Sequence, residues 1–493
     1  MSTAANLVTE ALDDADVSSD LKSLLKAQRK RFAVDPMPTL QTRVKRLNLL
    51  HNALLTHRDA IAEAISADFS NRAPAETEIA EMLPLLEGIA YYRKRLKRLM
   101  KPQRRHTPSA LRPARVELHY QPMGVVGIVV PWNFPVFLAL SPLIGALAAG
   151  NLAMIKMSEF TPATGALLKQ IIGQCFGADE VCVVNGDVSV AEAFTRLPFD
   201  HLVFTGSTQV GRIVMRAAAE NLTPVTLELG GKSPAIIHDS FPIEEAARRL
   251  AFAKGINVGQ ICIAPDYVFC PEDRVETFCD AFATSFKQAY PTLRENTDYT
   301  AIITDRQKAR LQRVLSDAEE KGAQLITINP GNENLDDTRK LPMTLVLNPT
   351  PDMLVLRGEI FGPVLPVLAY RDLDEALAYV NDRDRPLALY YFDYDAARAD
   401  DVLRRTHSGG ACINDSLTQA TADDIPFGGV GPSGMGHYHG EEGFRSFSHA
   451  KGVVRKGRIN TTMLAGPPWG NRVFKALQWV MKRKFRPVKI QSE

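Results

Sequence analysis

A charge-free segment covers residues 124–155, and its apolar positions fall into three blocks. Residues 124–130 predict a buried strand, residues 135–150 a buried helix that ends at a glycine, and residues 152–155 a second strand. The segment is long enough for a membrane span, but its prolines argue against one. The pattern therefore predicts a βαβ unit that is covered on both faces.

Strand-like and helical patterns alternate along most of the chain. Residues 19–101 place apolar positions at helical spacing. Single cores stop growing near roughly 250 to 300 residues, so a chain of 493 residues predicts two large domains. The fold class predicted is α/β, with two open parallel sheets. Beyond the βαβ unit, strand patterns occupy 181–184, 201–205, 235–237, 267–269, 344–347 and 364–368, and 190–196 is helical.

Two other segments have patterns of their own. Residues 116–120 alternate apolar and polar positions, which predicts a half-exposed strand at a sheet edge or between subunits. Residues 472–486 predict a basic amphipathic helix. Packing on a partner subunit explains that helix as well as peripheral membrane contact does, and membrane contact is not favoured because the apolar stretch is short and interrupted. The helix places Val473, Leu477, Trp479, Val480 and Phe485 among six basic residues.

Composition narrows the class of protein. The formal net charge of +2 provides no overall field that would attract nucleic acid, so no nucleic-acid partner is expected. Six cysteines show neither a disulfide framework nor paired metal-ligand spacing, which predicts a reducing cytoplasm and no metal site. The acidic N-terminus lacks the pattern of a secretory signal.

Three motifs together describe a thiol-based site. Cys262 follows Gly259 and Gln260, which suit a tight, exposed turn rather than a core strand. Glu228 precedes two glycines, which give open backbone around a carboxylate that could activate water. Asn133 lies between two aromatic residues. A cysteine nucleophile requires a group that binds its oxyanion and a base that releases its acyl product, and these motifs supply both.

The order and length of these motifs resemble the aldehyde dehydrogenase family from about residue 20 to about residue 465. Residues 259–267 and 434–440 are similar to the dimeric class 3 branch, and within it to enzymes that act on coniferyl aldehyde. The resemblance implies two domains, a cofactor domain of Rossmann type and a catalytic domain, with a small β arm for oligomerisation. It also implies a homodimer, and it assigns the oxyanion to the Asn133 side chain and the Cys262 backbone N–H.

Cofactor residues are expected at several strand ends. Residues 204–211 open a helix with Gly206, Ser207 and Gly211, which offers N–H groups to a pyrophosphate. The resemblance places Lys156 and Glu159 at the adenine ribose, although the usual proline between them is Met157 here. A carboxylate at this position favours NAD, with NADP as the alternative. The resemblance adds Trp132, and Glu359 and Phe361 at the nicotinamide ribose and ring.

Phe252 and Phe444 are candidates for the wall of a pocket that binds an aromatic or long aliphatic aldehyde.

The implied domain boundaries follow from these assignments. The predicted division is a cofactor domain at 1–112 and 125–228, a catalytic domain at 229–412, an oligomerisation arm at 113–124 and 445–465, a segment bordering the active site at 413–444, and the basic tail at 466–493.

The predicted activity is NAD(P)-dependent oxidation of an aldehyde to a carboxylic acid through a cysteine-bound hemiacetal and thioester, with an aromatic substrate such as coniferyl aldehyde. A long-chain aliphatic aldehyde is the alternative substrate, and a cysteine-dependent esterase is the alternative activity. A cysteine hydrolase usually requires a histidine base, and no histidine lies in the three motifs. A non-catalytic protein on the same scaffold would not need Cys262, Glu228 and Asn133 together.

Overall fold

The computed structural model describes residues 14–458, 460 and 466–485. The N-terminal residues 1–13 and the end of the basic tail, including Arg486, lie outside the described residues. In chain order, α1 to α17 are Asp14–Val34, Leu40–Thr56, Arg58–Phe69, Pro74–Thr77, Leu83–Leu99, Pro135–Ala149, Pro162–Cys175, Val188–Thr195, Thr208–Ala219, Ile243–Gly255, Val275–Ala289, Asp305–Glu320, Leu354–Arg357, Leu373–Asn381, Ala396–Arg405, Gly440–Ser446 and Arg472–Lys484.

The strands alternate with these helices. In chain order, β1 to β16 are Gln103–Arg105, Arg115–Pro122, Val125–Val129, Leu152–Lys156, Val181–Val184, His201–Gly206, Val225–Leu229, Pro234–Ile237, Tyr267–Pro271, Gln324–Ile328, Met343–Leu347, Val364–Tyr370, Ala388–Phe392, Gly410–Ile413, Gly434–Met435 and Ser448–Arg455. The chain divides into two compact units, one formed by residues 14–99 and 122–448 and the other by residues 100–121 and the described residues from 449 onward.

The larger unit contains two sheets in which parallel pairing dominates, as the sequence predicts. The first has the order β15-β7-β6-β3-β4-β5, and β15 is its antiparallel edge. The second has the order β10-β11-β12-β9-β8-β13-β14, and β10 is its antiparallel edge. The chain passes from the first sheet to the second directly after β7, through residues 230–233.

The βαβ unit predicted from residues 124–155 is present as β3, α6 and β4. Helix α6 begins with Pro135 at its first turn and ends at Gly150, whose φ of 98° is left-handed and suits a residue without Cβ. All residues of β3 and β4 are buried. Helix α1 covers one face of this sheet, where Leu21 and Leu25 join a core with Phe199 and Leu202. Burial on both faces explains why these strands, up to Lys156 at the end of β4, carry no alternating polar side chains.

The smaller unit is a three-stranded sheet with the order β1-β2-β16, together with α17. The strand predicted at 116–120 is present as β2, but it is the central strand of this sheet and not an edge strand. Sequence patterns missed β1 because three mostly exposed residues show no apolar alternation. Glu117 accepts hydrogen bonds from His119 and from Arg455, and these bonds lower the pKa of its carboxyl.

The helix predicted in the tail is present as α17, and its apolar and basic side chains are exposed except for Phe474, which is half-buried. Among the described residues, no helix is both long enough and apolar enough to cross a membrane.

Candidate active site

The parallel strands of the first sheet bring several predicted site residues to one edge. In the register of the sheet, Val129 lies opposite Lys156 and Phe204, and Thr205 lies opposite Glu228. The carboxyl ends of β3, β4, β6 and β7 therefore share one edge, which is where open α/β sheets usually bind ligands. Sequence order alone separates these residues by up to about a hundred positions, and only the pairing of the strands brings them together.

Cys262, Glu228 and Asn133 line one cavity. Its wall is largely apolar and includes four aromatic rings from two parts of the chain: Phe134, Phe137, Phe427 and Tyr438. His439 also lines it, and burial lowers the pKa of that imidazole to about 4, so the ring is neutral at neutral pH. Phe252 and Phe444 do not line this cavity: Phe252 is 66% exposed, and Phe444 is buried elsewhere in the core. The sequence-based assignment of these two residues was wrong.

The turn that carries Cys262 is fixed by buried hydrogen bonds. The Gln260 side chain donates to the carbonyls of Asn257 and Ala301 and accepts from the backbone N–H of Ile303. A Cβ on Gly259, which has a φ of 73°, would lie 2.6 Å from the carbonyl oxygen of Gly362, so glycine is required there. The tight turn predicted from sequence is present. Gln260, however, is fully buried, and Cys262 is half-buried rather than exposed.

The environment of the thiol disfavours its charged form. Burial, and after it the carboxyls of Glu359 and Glu228, raise the pKa of Cys262, whereas the backbone N–H groups of Cys262 and Ile263 lower it. The net direction is upward, so the thiol is protonated at neutral pH and requires a base before it can attack. No lysine or arginine is among the described residues that line the cavity.

Glu228 is buried near the carboxyl end of β7. Neither of its carboxylate oxygens has a hydrogen-bond partner within the described part of the chain, and burial raises its pKa well above the ordinary value of 4.5. A buried carboxyl without partners is unfavourable for stability, and such groups are often found where a base must act. Glu228 and Cys262 line the same cavity.

Asn133 lies in the loop after β3. Its side-chain Nδ2 donates to the carbonyl oxygen of Gln260 at 3.2 Å, so the amide is directed toward the turn that carries Cys262. Its own carbonyl oxygen accepts from Asn257 and from Arg72, at 3.1 and 3.0 Å. These contacts link the asparagine loop and the cysteine turn, which are more than a hundred residues apart in sequence.

Other predicted residues form a second cluster around Glu359. Burial, and after it the carboxyl of Asp266, raises the pKa of Glu359 to about 8. A hydrogen bond from the backbone N–H of Gly231 and the positive charge of Lys232 act in the opposite direction. Its Oε1 is buried and has no partner among the described residues. A Cβ on Gly230 would lie 2.0 Å from Glu359 Oε2, so the glycine leaves room for this carboxyl.

Aromatic contacts bring two more of the predicted residues together. The rings of Trp132 and Phe361 meet edge to face, with their centroids 5.2 Å apart. Phe361 has a φ of 54°, a left-handed backbone that is rare outside glycine and asparagine. Such strain persists only where the surrounding structure holds it, and it is common in ligand sites.

The remaining predicted residues lie at the ends of β4 and β6. Lys156 Nζ donates to the carbonyls of Met157 and Gly186, at 2.7 and 2.8 Å, which leaves a third donor for a ligand. Glu159 is exposed. Ser207 caps α9 by accepting from the N–H of Val210.

Gly206 and Gly211 flank the start of α9 and leave its backbone open. A Cβ on Gly206 would lie 2.6 Å from Phe204, and one on Gly211 would lie 2.5 Å from Leu229. The first turn of α9 thus presents N–H groups of the kind that bind phosphate. The unpartnered Glu359 oxygen, the free donor of Lys156 and this helix start fit a dinucleotide.

Comparison with known proteins identifies the family. The profile of the Aldehyde dehydrogenase family matches residues 8–453. The chain belongs to the aldehyde dehydrogenase family. It is therefore an enzyme that oxidises aldehydes, and it uses NAD(P), as the family does.

Individual relatives agree with this assignment. The chain is similar to a probable coniferyl aldehyde dehydrogenase of Pseudomonas aeruginosa, with 54% identity over 93% of this chain and 95% of that protein. It resembles the structure of Staphylococcus aureus AldH in a substrate-bound state, with a TM-score of 0.87 and 34% identity over 94% of this chain and 99% of the other. A Mycobacterium tuberculosis aldehyde dehydrogenase complexed with NAD+ has a TM-score of 0.81 and 27% identity, covering 90% and 91%.

Some residues of the site could not be found from sequence. The cavity-lining residues Phe137, Phe427 and His439 come from a helix and from two loops far along the chain, and periodicity marks only core faces. Arg72, Glu76 and Glu81 read as surface charges of a helical segment, yet all three are buried. Arg72 and Glu76 precede a π-helical turn at Glu78–Met82, and Glu81 lies within it, but that turn has no recognisable sequence pattern that could have marked these residues.

Replacing Gly230 with alanine is expected to weaken cofactor binding. The new Cβ would displace the Glu359 carboxyl, and the loss of one hydrogen bond to the cofactor would raise the KM for NAD(P) by about tenfold. Steady-state kinetics with varied cofactor would measure this. Gly173→Ala is the matched control, because a Cβ there has no atom within 4 Å. An unchanged cofactor KM in Gly230→Ala would contradict the assignment of Glu359.

Proposed function

We propose that this enzyme oxidises an aromatic aldehyde such as coniferyl aldehyde to its carboxylic acid, with NAD as the cofactor. The observation that carries the proposal is the convergence of Cys262, Glu228 and Asn133 on one apolar cavity. The aromatic wall suits a planar conjugated substrate, because aromatic rings pack favourably edge to face and in offset stacks. The relative in Pseudomonas aeruginosa is a probable coniferyl aldehyde dehydrogenase, which supports the same substrate class.

In the proposed mechanism, Cys262 Sγ attacks the carbonyl carbon of the aldehyde. Glu228 is the carboxyl in the cavity that could take the thiol proton. The imidazole of His439 is a weak base, because its pKa is only about 4. Asn133 Nδ2 gives up its hydrogen bond to the Gln260 carbonyl and donates to the oxyanion that forms. The backbone N–H of Cys262 also donates to this oxyanion. One such donor commonly lowers the barrier by about 3 kcal/mol.

After the hydride has left the substrate carbon, the acyl group remains on Cys262 as a thioester. Glu228 gives up the thiol proton to bulk water and then, as the ionised carboxylate, takes a proton from the water that releases the acyl group. A raised pKa makes the ionised carboxyl a stronger base than an ordinary glutamate. The absence of hydrogen-bond partners for its oxygens, within the described residues, leaves the side chain free to change rotamer between the two steps. Burial in an apolar wall also restricts the number of waters that reach the thioester.

NAD(P), when bound, accepts the hydride from the substrate carbon. We assign its nicotinamide ribose and nicotinamide ring to Glu359, Phe361 and Trp132. We assign its pyrophosphate to the first turn of α9 with Gly206, Ser207 and Gly211. Lys156 and Glu159 would hold the adenine ribose. The negative charge of Glu159 disfavours the 2′-phosphate of NADP, which supports NAD as the preferred cofactor.

We also propose the assembly that the family resemblance implies. Residues 113–124 and 445–465 would form the oligomerisation arm of a homodimer, and the two sheets of the larger unit would correspond to a cofactor domain at 1–112 and 125–228 and a catalytic domain at 229–412. Residues 413–444 would border the active site, and residues 466–493 would form the basic tail, for which peripheral membrane contact is not favoured. Light scattering on the purified chain would test the dimer.

The substrate assignment is tested by the appearance of reduced cofactor with a panel of aldehydes. We expect kcat/KM to be highest for coniferyl aldehyde and cinnamaldehyde, lower for long-chain aliphatic aldehydes and lowest for acetaldehyde, and to be higher with NAD than with NADP. A preference for long-chain aldehydes would contradict the aromatic assignment while keeping the family. Ester hydrolysis without any aldehyde oxidation would contradict the proposed activity itself.

A further inference from the structure

Arg72 connects α3 to α4, and its side chain is completely buried. Its Nη1 donates to the carbonyl oxygen of Asn133 and to Glu81 Oε1, both at 3.0 Å. Its Nε lies 3.3 Å from Glu76 Oε1, and its guanidinium lies 4.6 Å from the centroid of the Phe134 ring. Burial of a guanidinium is unfavourable unless charged partners surround it, so this arrangement holds the arginine in one place.

The first carboxylate partner extends the network to the cysteine turn. Glu76 Oε1 accepts the backbone N–H of Asn257 at 2.8 Å, and Glu76 Oε2 accepts from the hydroxyl of Thr300 at 3.1 Å. The Asn257 side chain donates to the carbonyls of both Asn133 and Gln260, each at 3.1 Å. Arg72 is thereby linked to the turn that ends at Cys262.

The second carboxylate partner fixes the helix that follows Asn133. Glu81 Oε2 accepts the backbone N–H groups of Val136 and Phe137, each at 2.8 Å. These two N–H groups lie in the first turn of α6 and have no acceptor within the helix itself. A negative charge at this end of a helix is favourable. The chain is therefore held at the carbonyl of Asn133 and again at the start of α6.

We propose that Arg72 is a positioning residue that directs the Asn133 amide toward the oxyanion. The inference rests on the proposed role of Asn133 and extends it to a residue that does not line the cavity. Arg72 contacts the carbonyl of Asn133 and, through Glu76, is linked to Asn257, whose side chain donates to the Gln260 carbonyl in the turn before Cys262. Loss of the guanidinium releases both segments, and the two donors no longer converge at hydrogen-bond distance from one oxygen.

A double-mutant cycle with Arg72→Met and Asn133→Ala tests this. Alanine at 133 keeps the backbone carbonyl that Arg72 contacts but removes the amide that it positions, so a purely structural effect of Arg72 would be equal in both backgrounds. We expect Arg72→Met to lower kcat roughly 30- to 100-fold when Asn133 is present. In the Asn133→Ala background we expect it to lower kcat less than about threefold.

Two further variants separate positioning from stability. Arg43 is a matched buried arginine whose Nη1 donates to the carbonyls of Ala148 and Ala149 at the other end of α6. Arg43→Met is expected to lower the melting temperature, as Arg72→Met does, but to leave kcat within about twofold. Arg72→Lys keeps a charge beside both carboxylates and should restore part of the lost rate.

The outcomes are distinguishable. An equal loss of kcat in both backgrounds, or a similar loss in Arg43→Met, would overturn the positioning role while leaving the proposed function intact. Wild-type activity in Asn133→Ala would overturn both the role of Asn133 and the inference built on it. If Arg72→Met does not fold, Arg72→Lys takes its place in the cycle, and the same comparison of backgrounds decides.

Discussion

Replacing Cys262 with alanine is expected to abolish aldehyde oxidation, with kcat falling by roughly 10⁴-fold or more, as is seen when an enzyme loses its nucleophile. The physical reason is that Cys262 carries the covalent adduct from which the acid is released, and it is the only thiol among the described residues that line the cavity. The measurement is the formation of reduced cofactor with the best aldehyde of the panel. Cofactor binding, followed by fluorescence, should be unchanged.

The matched control is Cys175→Ala. Cys175 is also half-buried, but it lies at the end of α7 and does not line the cavity. Its replacement should leave kcat within about twofold, in line with most substitutions away from a site. Substantial aldehyde oxidation by Cys262→Ala would exclude the thiol mechanism, and an equal loss in both variants would indicate misfolding instead.

The second large effect is expected for Glu228→Gln. The amide cannot accept a proton, so acyl release should slow by about 100-fold or more, whereas attack and hydride transfer should be less affected. Rapid-mixing experiments should show a burst of about one reduced cofactor per active site, followed by a slow steady state. Glu180→Gln, which removes a partly exposed carboxyl that pairs with Arg46, is the control and should show no burst. An unchanged steady-state rate in Glu228→Gln would contradict the assignment.

The raised pKa of Glu228 predicts the direction of the pH dependence. Burial keeps this carboxyl protonated at pH values well above 4.5, at which an ordinary glutamate is already ionised. The ionised form is the base, and its fraction increases with pH, so acyl release should still accelerate at pH values at which an ordinary glutamate is fully ionised. The acceleration should be absent in Glu228→Gln. A wild-type profile with the pH dependence of an ordinary glutamate would be inconsistent with a buried base.

Sequence patterns predicted the first sheet well because its strands are buried on both faces. The helix and strands of the βαβ unit were predicted within one or two residues of their observed bounds. The second sheet was predicted less completely. Strands β13 and β14 were missed, although β13 is an interior strand that pairs with both β8 and β14. The antiparallel edges β10 and β15 were also missed, because pairing direction depends on the path of the chain rather than on local composition.

The sequence by itself determined the class of fold, the family and the three motifs that carry Cys262, Glu228 and Asn133. These depend on local features: residue spacing, glycines next to reactive groups, and apolar blocks of strand and helix length. The tertiary structure decided which side chains form the cavity, because its wall combines loops whose relative positions no local pattern encodes. It also decided that Arg72, Glu76 and Glu81 are buried together beside the asparagine loop. Charged residues on a helix normally face solvent, and only the packing of α3 to α6 around this loop removes them from it.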